Sequence, residues 1–317
     1  MRTGAPAGHT GYFHEALCYS SDEELLSVLV PFLTGGAEAG EPTLVALGER
    51  NSALVRSALP RRLGVEYTTG GDVYARPAGA IRGYRKLLAR HVEDGARQIR
   101  IIGELPPAAF GRTWDWWARY ESAINHAYDD FPLWSMCAYD RRTTPEPMMH
   151  DVERTHPRTA RADGSHPSNT AYTDPHAYLA ESRPMAPDPV QAGPPYAEVI
   201  NPPPMLARQA VREAARRVLT TAEEEDLVVA VSEAVTNALL HGRPPVEMRI
   251  WRGTDRLVVA VRDGGAGPKD PFSGLLPAAD TSAGGRGLWI THQSVNHATS
   301  ERHADGYTLR LTAGNPH

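Results

Sequence analysis

Apolar positions in the first half of the chain follow two patterns that alternate. Leu25, Leu26, Val28, Leu29, Phe32 and Leu33 recur at helical spacing, behind Ser20-Ser21-Asp22-Glu23-Glu24, whose serines and first-turn acids mark a helix start. Gly35-Gly36 is expected to end that helix. Short apolar runs at residues 43–47, just before and including Tyr67, at 98–102 and at 134–139 are compact enough to be buried strands. Helical stretches at about 52–59, 78–94 and 114–127 lie between them. Strand and helix in alternation predict a mainly parallel α/β sheet, in which ligands sit beyond the carboxyl ends of the strands, at the turns after Leu47, Ile102 and Tyr139. The first of these turns, Gly48-Glu49-Arg50-Asn51-Ser52, lacks the G-x-x-x-x-G-K-[ST] spacing of a P-loop.

The pattern changes after the proline-rich stretch at 183–195, which reads as a linker. Residues 197–200 form an expected edge strand that Pro202-Pro203-Pro204 stops. Residues 205–219 place Leu206, Ala210, Ala214 and Val218 on one helical face, with arginines opposite. A second helix carries the apolar run from Leu227 through Ser232-Glu233-Ala234-Val235-Thr236-Asn237. Residues 246–251 and 257–261 alternate like strands joined at Gly253-Thr254-Asp255, and 307–311 repeat the pattern.

With 317 residues the chain has room for two ordinary domains. A net charge of -5 and the lack of any basic tract speak against direct nucleic-acid binding. No window nears the length of a membrane span, and the start of the chain lacks a signal pattern. Cys18 and Cys137, the only cysteines, have no framework spacing, so a reducing, cytoplasmic setting is the simplest expectation.

Candidate chemistry concentrates in the second half. Glu233 and Asn237, four residues apart, share a helix face and offer a carboxylate able to take a proton beside an amide oxygen suited to Mg²⁺. An isolated E-x-x-x-N is usually plain solvated surface. Here it is followed by Asp263-Gly264-Gly265-Ala266-Gly267 at a strand end and by Gly284-Gly285-Arg286-Gly287 opening another helix, where free N–H groups favour anions. His241, one turn after Asn237, is expected to act as a cationic cap before Gly242 rather than to steer phosphate.

This ordered set resembles the nucleotide-binding boxes of the GHKL ATPases, and within them most nearly the anti-sigma factor serine kinases. The likeness covers residues 196–314 and implies a GHKL (Bergerat) α/β sandwich that binds ATP and Mg²⁺ beneath a lid at 264–287. It casts Glu233 as general base, Asn237 as Mg²⁺ ligand and Asp263 as adenine contact. Gly265 and Gly267 match the first glycine box; Gly284, Gly285 and Gly287 match the second, while Arg286 departs from many relatives. The implied activity is serine/threonine phosphorylation of a STAS-type anti-sigma antagonist by a protein that also holds a sigma factor. Two alternatives stand beside it: a non-catalytic ATP-binding partner switch, and a histidine-kinase-like sensor. The latter needs a phosphoacceptor helical hairpin where the sequence has proline-rich linker. Self-association into a homodimer is compatible with the sequence.

In the first half, His14, Leu17 and Tyr19 form H-x-x-L-x-Y, followed by the helix of Glu23-Glu24-Leu25 and the strand at 43–47. Thr155-His156-Pro157, Gly164, Asn169, Tyr172 and Asp174-Pro175 come later. Together they resemble the MEDS sensory domain, over residues 10–182, which implies a RecA-like sheet without nucleotide machinery that senses a small organic ligand, with His14 and Tyr19 as its candidate contacts. Otherwise His14, His150, His156, His166 and His176 show no metal-site spacing and read as ordinary surface or core residues. Trp114, Trp116, Trp117 and Trp134 could line a pocket, but helical spacing favours core.

Overall fold

The computed structural model describes residues 9–68, 74–184, 186–277 and 286–317. The chain divides into two compact units, Met1–Ala75 with Gly79–Tyr178, and Arg76–Ala78 with Leu179–His317.

In the first unit six strands form one sheet: β1 (Phe13–Tyr19), β2 (Thr43–Ala46), β3 (Glu66–Tyr67), β4 (Ile99–Gly103), β5 (Leu133–Asp140) and β6 (Arg158–Thr159). Their order is β3-β2-β4-β5-β1-β6, and every pairing is parallel. The central strands are covered on both faces, which is why they read as unbroken apolar runs rather than as alternation. On one face Phe13, Leu17, Trp134 and Met136 pack against Leu25, Leu29 and Phe32 of α1 (Asp22–Glu38) and Val55 of α2 (Glu49–Ala58). α4 (Trp114–Ala127) and α5 (Glu146–Thr155) complete the unit, with all but the first two residues of α3 (Pro77–Glu93) and all but the last two of α6 (Pro175–Ala180). Trp114, Trp116, Trp117 and Trp134 are all buried, so the core reading of these aromatics holds.

Ser21 caps α1 as its composition predicts, accepting the Glu24 N–H at 3.1 Å. The helix does not stop at Gly35-Gly36 but runs on to Glu38. Gly36 serves packing instead: a Cβ there would lie 2.5 Å from Thr43 Oγ1 and 2.7 Å from Arg100 Cδ. The missing side chain lets α1 approach the buried Arg100, whose Nε donates to Glu41 Oε2 at 2.7 Å and whose Nη1 donates to the Phe32 carbonyl at 2.8 Å.

The second unit is a five-stranded antiparallel sheet, ordered β10-β11-β9-β8-β7: β7 (Ala197–Ile200), β8 (Glu247–Arg252), β9 (Arg256–Asp263), β10 (His297–His303) and β11 (Gly306–Gly314). Three helices accompany it, α7 (Pro204–Ala215), α8 (Thr221–His241) and α9 (Gly287–Ser294). This is a layered α/β sandwich of the GHKL type. β7 is the expected edge strand, but β10, His-Ala-Thr-Ser-Glu-Arg-His, is a strand that its polar composition hides. On α7 the buried stripe is Ala207, Val211, Ala214 and Ala215, not the one through Leu206, which is 41% exposed. The proline-rich stretch is no bare spacer. Asp188 caps a 3-10 turn at Pro189–Ala192 and pairs with Arg256 at 3.1 Å, while Arg310 Nη1 donates to the Ala186 carbonyl at 2.7 Å. No helix among the described residues is long and apolar enough to cross a membrane.

Candidate functional site

α8 owes its position to its ends and its buried stripe. Thr220 and Glu223 form a reciprocal capping box, with Glu223 N–H donating to Thr220 Oγ1 at 3.3 Å and Thr220 N–H donating to Glu223 Oε2 at 2.9 Å. Leu227, Val228, Ala230, Val231, Ala234, Val235 and Ala238 are buried. Glu233 and Asn237 flank that stripe and are half-buried, so the carboxylate and carboxamide sit side by side at the margin of the core.

Gly287, the first residue of α9, lies directly against this pair. A Cβ built on it would fall 2.6 Å from Glu233 Oε2 and 2.9 Å from Asn237 Nδ2. The glycine therefore brings a helix N-terminus, with its free N–H groups, up to the acid and the amide. Thr291, one turn on, is buried and donates to the Gly287 carbonyl at 2.9 Å and towards the Ala230 carbonyl at 3.4 Å, which seats α9 on α8.

The far end of α8 meets the end of β9. Asp263 is 6% exposed, and its Oδ1 accepts N–H groups from Gly265 at 2.6 Å and from Arg243 at 3.2 Å. Its Oδ2 accepts no hydrogen bond among the described residues. Gly242 presses on this carboxylate, since a Cβ there would lie 2.3 Å from Asp263 Oδ1, and Gly265 would clash likewise at 2.6 Å. Gly264 N–H donates back to the Arg243 carbonyl at 2.7 Å, closing the corner. Gly242 lies five positions after Asn237, about 7.5 Å along the axis. Gly267 has a φ of +72°, open to glycine at no steric cost, and a Cβ would strike the Tyr307 ring.

The structure thus brings Glu233, Asn237 and Gly287 together, and gathers Asp263 with Gly265 at the next corner. Gly284 and Gly285 lie outside the described residues. Of the expected lid, the near part is anchored: Phe272 and Leu275 are buried, and Gly274, with φ of +91°, packs on the His292 ring. Gly242 and Arg243 contribute to the corner although the sequence suggested only a helix cap there. Gly242 has extended backbone, φ −83° and ψ −162°, so its role is close approach and not a left-handed turn. His14 and Tyr19 belong to the other unit and point to opposite faces of β1, because they stand five positions apart, an odd step along a strand. Tyr19 accepts from Asn51 Nδ2 at 2.9 Å, while His14 is buried beside Asn125 and Cys137. They do not share a pocket.

An antiparallel sheet with an acid-amide helix, a buried strand-end aspartate and a glycine-opened helix defines a GHKL-class nucleotide fold. Residues 204–313 match the family model of the histidine kinase-like ATPase domain, and residues 13–157 match that of MEDS, the methanogen/methylotroph DcmR sensory domain. The chain joins a MEDS domain to a histidine kinase-like ATPase domain, an ATP-binding, kinase-like regulatory architecture. No curated protein sequence matches it. Among solved structures it is similar to the RsbU and RsbW domains of Rv1364c from Mycobacterium tuberculosis, at 21% identity over 38% of this chain and 33% of that one, with a TM-score of 0.27. It is also similar to a histidine kinase domain of the blue-light activated histidine kinase from Erythrobacter litoralis, at 20% identity over 34% of this chain and 57% of that one, with a TM-score of 0.23. The chain spans a third and a little over half of those two chains, and such low scores bear no functional weight.

Proposed function

We propose that the C-terminal domain binds ATP with Mg²⁺ and phosphorylates a serine or threonine of a STAS-type antagonist protein. In this reading it also holds a sigma factor, and a small-molecule signal received by the MEDS domain governs the exchange of partners. One observation carries the reading: the first residue of α9 lies against Glu233 and Asn237, so base, hard ligand and anion-binding helix end converge. Bound ATP supplies the phosphoryl group, and its magnesium ion neutralises charge in the transfer.

The chain's residues divide the remaining work. Asn237 offers its amide oxygen to the cation. Glu233, half-buried beside it, takes the proton from the acceptor hydroxyl as that oxygen becomes nucleophilic. The N–H groups at the start of α9 stabilise phosphate oxygens. Asp263, whose Oδ1 is held by Gly265 and Arg243, keeps Oδ2 for an exocyclic amine, which selects adenine.

Labelled ATP offered with candidate antagonists tests the reading. Wild-type protein is expected to label one antagonist, and Glu233→Ala to lower the transfer rate by about 10²–10⁴-fold while calorimetric ATP affinity changes little. Transfer that persists in Glu233→Ala overturns the base assignment. Binding without transfer by the wild type replaces the kinase with a nucleotide-dependent partner switch.

A further inference from the structure

The MEDS unit contains a second constellation that neither its fold nor the nucleotide site uses. Ligand-type atoms of His14, Glu121, Cys137 and His156 all lie within 4.8 Å of one another. They come from β1, α4, β5 and the residue just past α5, and His14, Glu121 and His156 are at most 1% exposed. His14 and Cys137 share a face because β1 and β5 pair in parallel with Ala16 opposite Cys137.

Hydrogen-bond partners fix both imidazole tautomers. His156 Nδ1 lies 2.8 Å from the Val152 carbonyl, an atom that only accepts, so Nδ1 carries the proton. His14 Nδ1 lies 2.9 Å from Asn125 Oδ1. The Asn125 amide is itself oriented, since Nδ2 donates to the carbonyls of Glu121, Ser122 and Thr155, leaving its oxygen to accept from His14. Each ring therefore presents a bare Nε2 lone pair to the cluster.

With Glu121 ionised, these lone pairs do not meet enough donors. Glu121 Oε1 accepts from Tyr139 at 2.9 Å, while Oε2 faces His14 Nε2 at 3.7 Å, His156 Nε2 at 3.6 Å and Cys137 Sγ at 3.5 Å. The Cys137 thiol has one proton and two claimants, since His14 Nε2 is 3.4 Å away. His156 Nε2, fully buried, has no hydrogen-bond partner among the described residues. An imidazole lone pair pointed at a carboxylate oxygen in a dry interior is repulsive unless something positive lies between them.

We propose that His14 Nε2, His156 Nε2, Cys137 Sγ and Glu121 Oε2 together hold one divalent transition-metal ion of the Zn²⁺ type. A tetrahedron with Zn–N, Zn–O and Zn–S bonds of about 2.0–2.3 Å has edges of about 3.3–3.8 Å. Four edges of the observed cluster measure 3.4, 3.5, 3.6 and 3.7 Å. One thiolate and one carboxylate balance a 2+ ion, so the buried centre is neutral, and a thiolate with two imidazoles selects a borderline-soft ion over Mg²⁺ or Ca²⁺. The outer hydrogen bonds to Val152 and Asn125 are the kind that orient metal-bound histidines. Four protein ligands fill the coordination sphere, which makes the site closed: it clamps two central strands to α4 and to the end of α5. The site is independent of the nucleotide reading.

Full-length protein produced in cobalt-supplemented minimal medium tests this, because a buried ion is best loaded during folding. The expected product holds about one Co²⁺ per chain and shows a thiolate-to-cobalt charge-transfer band. Cys18→Ser, which leaves Cys137 as the only cysteine, retains both; Cys137→Ser loses the band. Should Cys137→Ser not fold, the band in Cys18→Ser alone assigns the thiolate. A folded wild-type protein with less than about a tenth of an equivalent of cobalt or zinc overturns the proposal, as does a band that disappears in Cys18→Ser or persists in Cys137→Ser.

Discussion

The two units place chemistry in opposite ways. In the MEDS unit the sheet is parallel and covered on both faces, so its polar groups lie in the interior: Glu15, His14, Glu121, Arg100 and His156 are all at most 3% exposed. In the ATPase unit the sheet is antiparallel, and the side chains of the candidate site sit at the rim, where Glu233 and Asn237 border the core and Asp263 closes a strand end. A buried polar group must be answered by partners on every side, and so MEDS chemistry is tied to stability. A rim group keeps a free side for a ligand. The first unit is therefore the more easily broken by loss of one polar partner, and the second by loss of a glycine that permits approach.

The sharpest break of that contrast is Glu41→Ala. Arg100 and Glu41 pair at 2.7 Å with side chains only 4% and 10% exposed, and removal of one member of such a pair costs about 3–5 kcal/mol. The Phe32 carbonyl and the Trp134 ring, 4.7 Å from the guanidinium, keep the cost near the lower end, about 3 kcal/mol. Tryptophan fluorescence follows the event, because Trp114, Trp116, Trp117 and Trp134 belong to this unit. By contrast, Glu198→Ala in the second unit breaks an ion pair with Arg249 whose side chains are 44% and 45% exposed, and should cost under about 1 kcal/mol. Equal losses from the two substitutions would erase the distinction.

Next in size is Gly287→Val. Its Cβ would fall 2.6 Å from Glu233 Oε2, and the added methyls demand more room still. Overpacking of about 1–3 kcal/mol at the α8–α9 contact converts to ATP binding weaker by roughly five- to 150-fold. Calorimetric titration with Mg·ATP reads this directly, and the MEDS unit's melting should not move. Unchanged affinity would mean that nucleotide does not bind at this helix end.

The same contrast governs what was legible from the residues. The candidate rim site is written in contiguous motifs, so Glu233, Asn237, Asp263 and Gly287 could be singled out before their geometry was known. Their helpers could not: Gly242 and Arg243 act through backbone approach to Asp263, for which a helix-ending glycine gives no distinct signal. The parallel sheet was legible because doubly covered strands are plain apolar runs. Its interior chemistry was not, because His14, Glu121, Cys137 and His156 converge only through strand order. Glu121 left one trace. It stands four residues after Trp117 and three before Ile124, on the buried stripe of α4, where an acid has no business without partners. Gly35-Gly36 and the polar strand β10 misled for a related reason, since tertiary packing there overrides local preference.

His297 is the buried titratable group that tests whether the ATPase unit also hides charge chemistry. Burial first, and then the Arg310 guanidinium with His292 and His317, hold its imidazole down to about 3, with only Asp188 acting the other way. In the unfolded chain a histidine titrates near 6.5. Between those values the unfolded state binds a proton that the folded state refuses. The contribution to stability is thus complete above about pH 6.5 and is lost as pH falls towards 3, at no more than about 1.4 kcal/mol per pH unit. His297→Gln should flatten the acid limb of the unit's stability, measured by denaturant titration from neutral pH downwards. Parallel limbs for the variant and the wild type would show that carboxylates alone set acid stability here, leaving buried titrating chemistry to the MEDS unit.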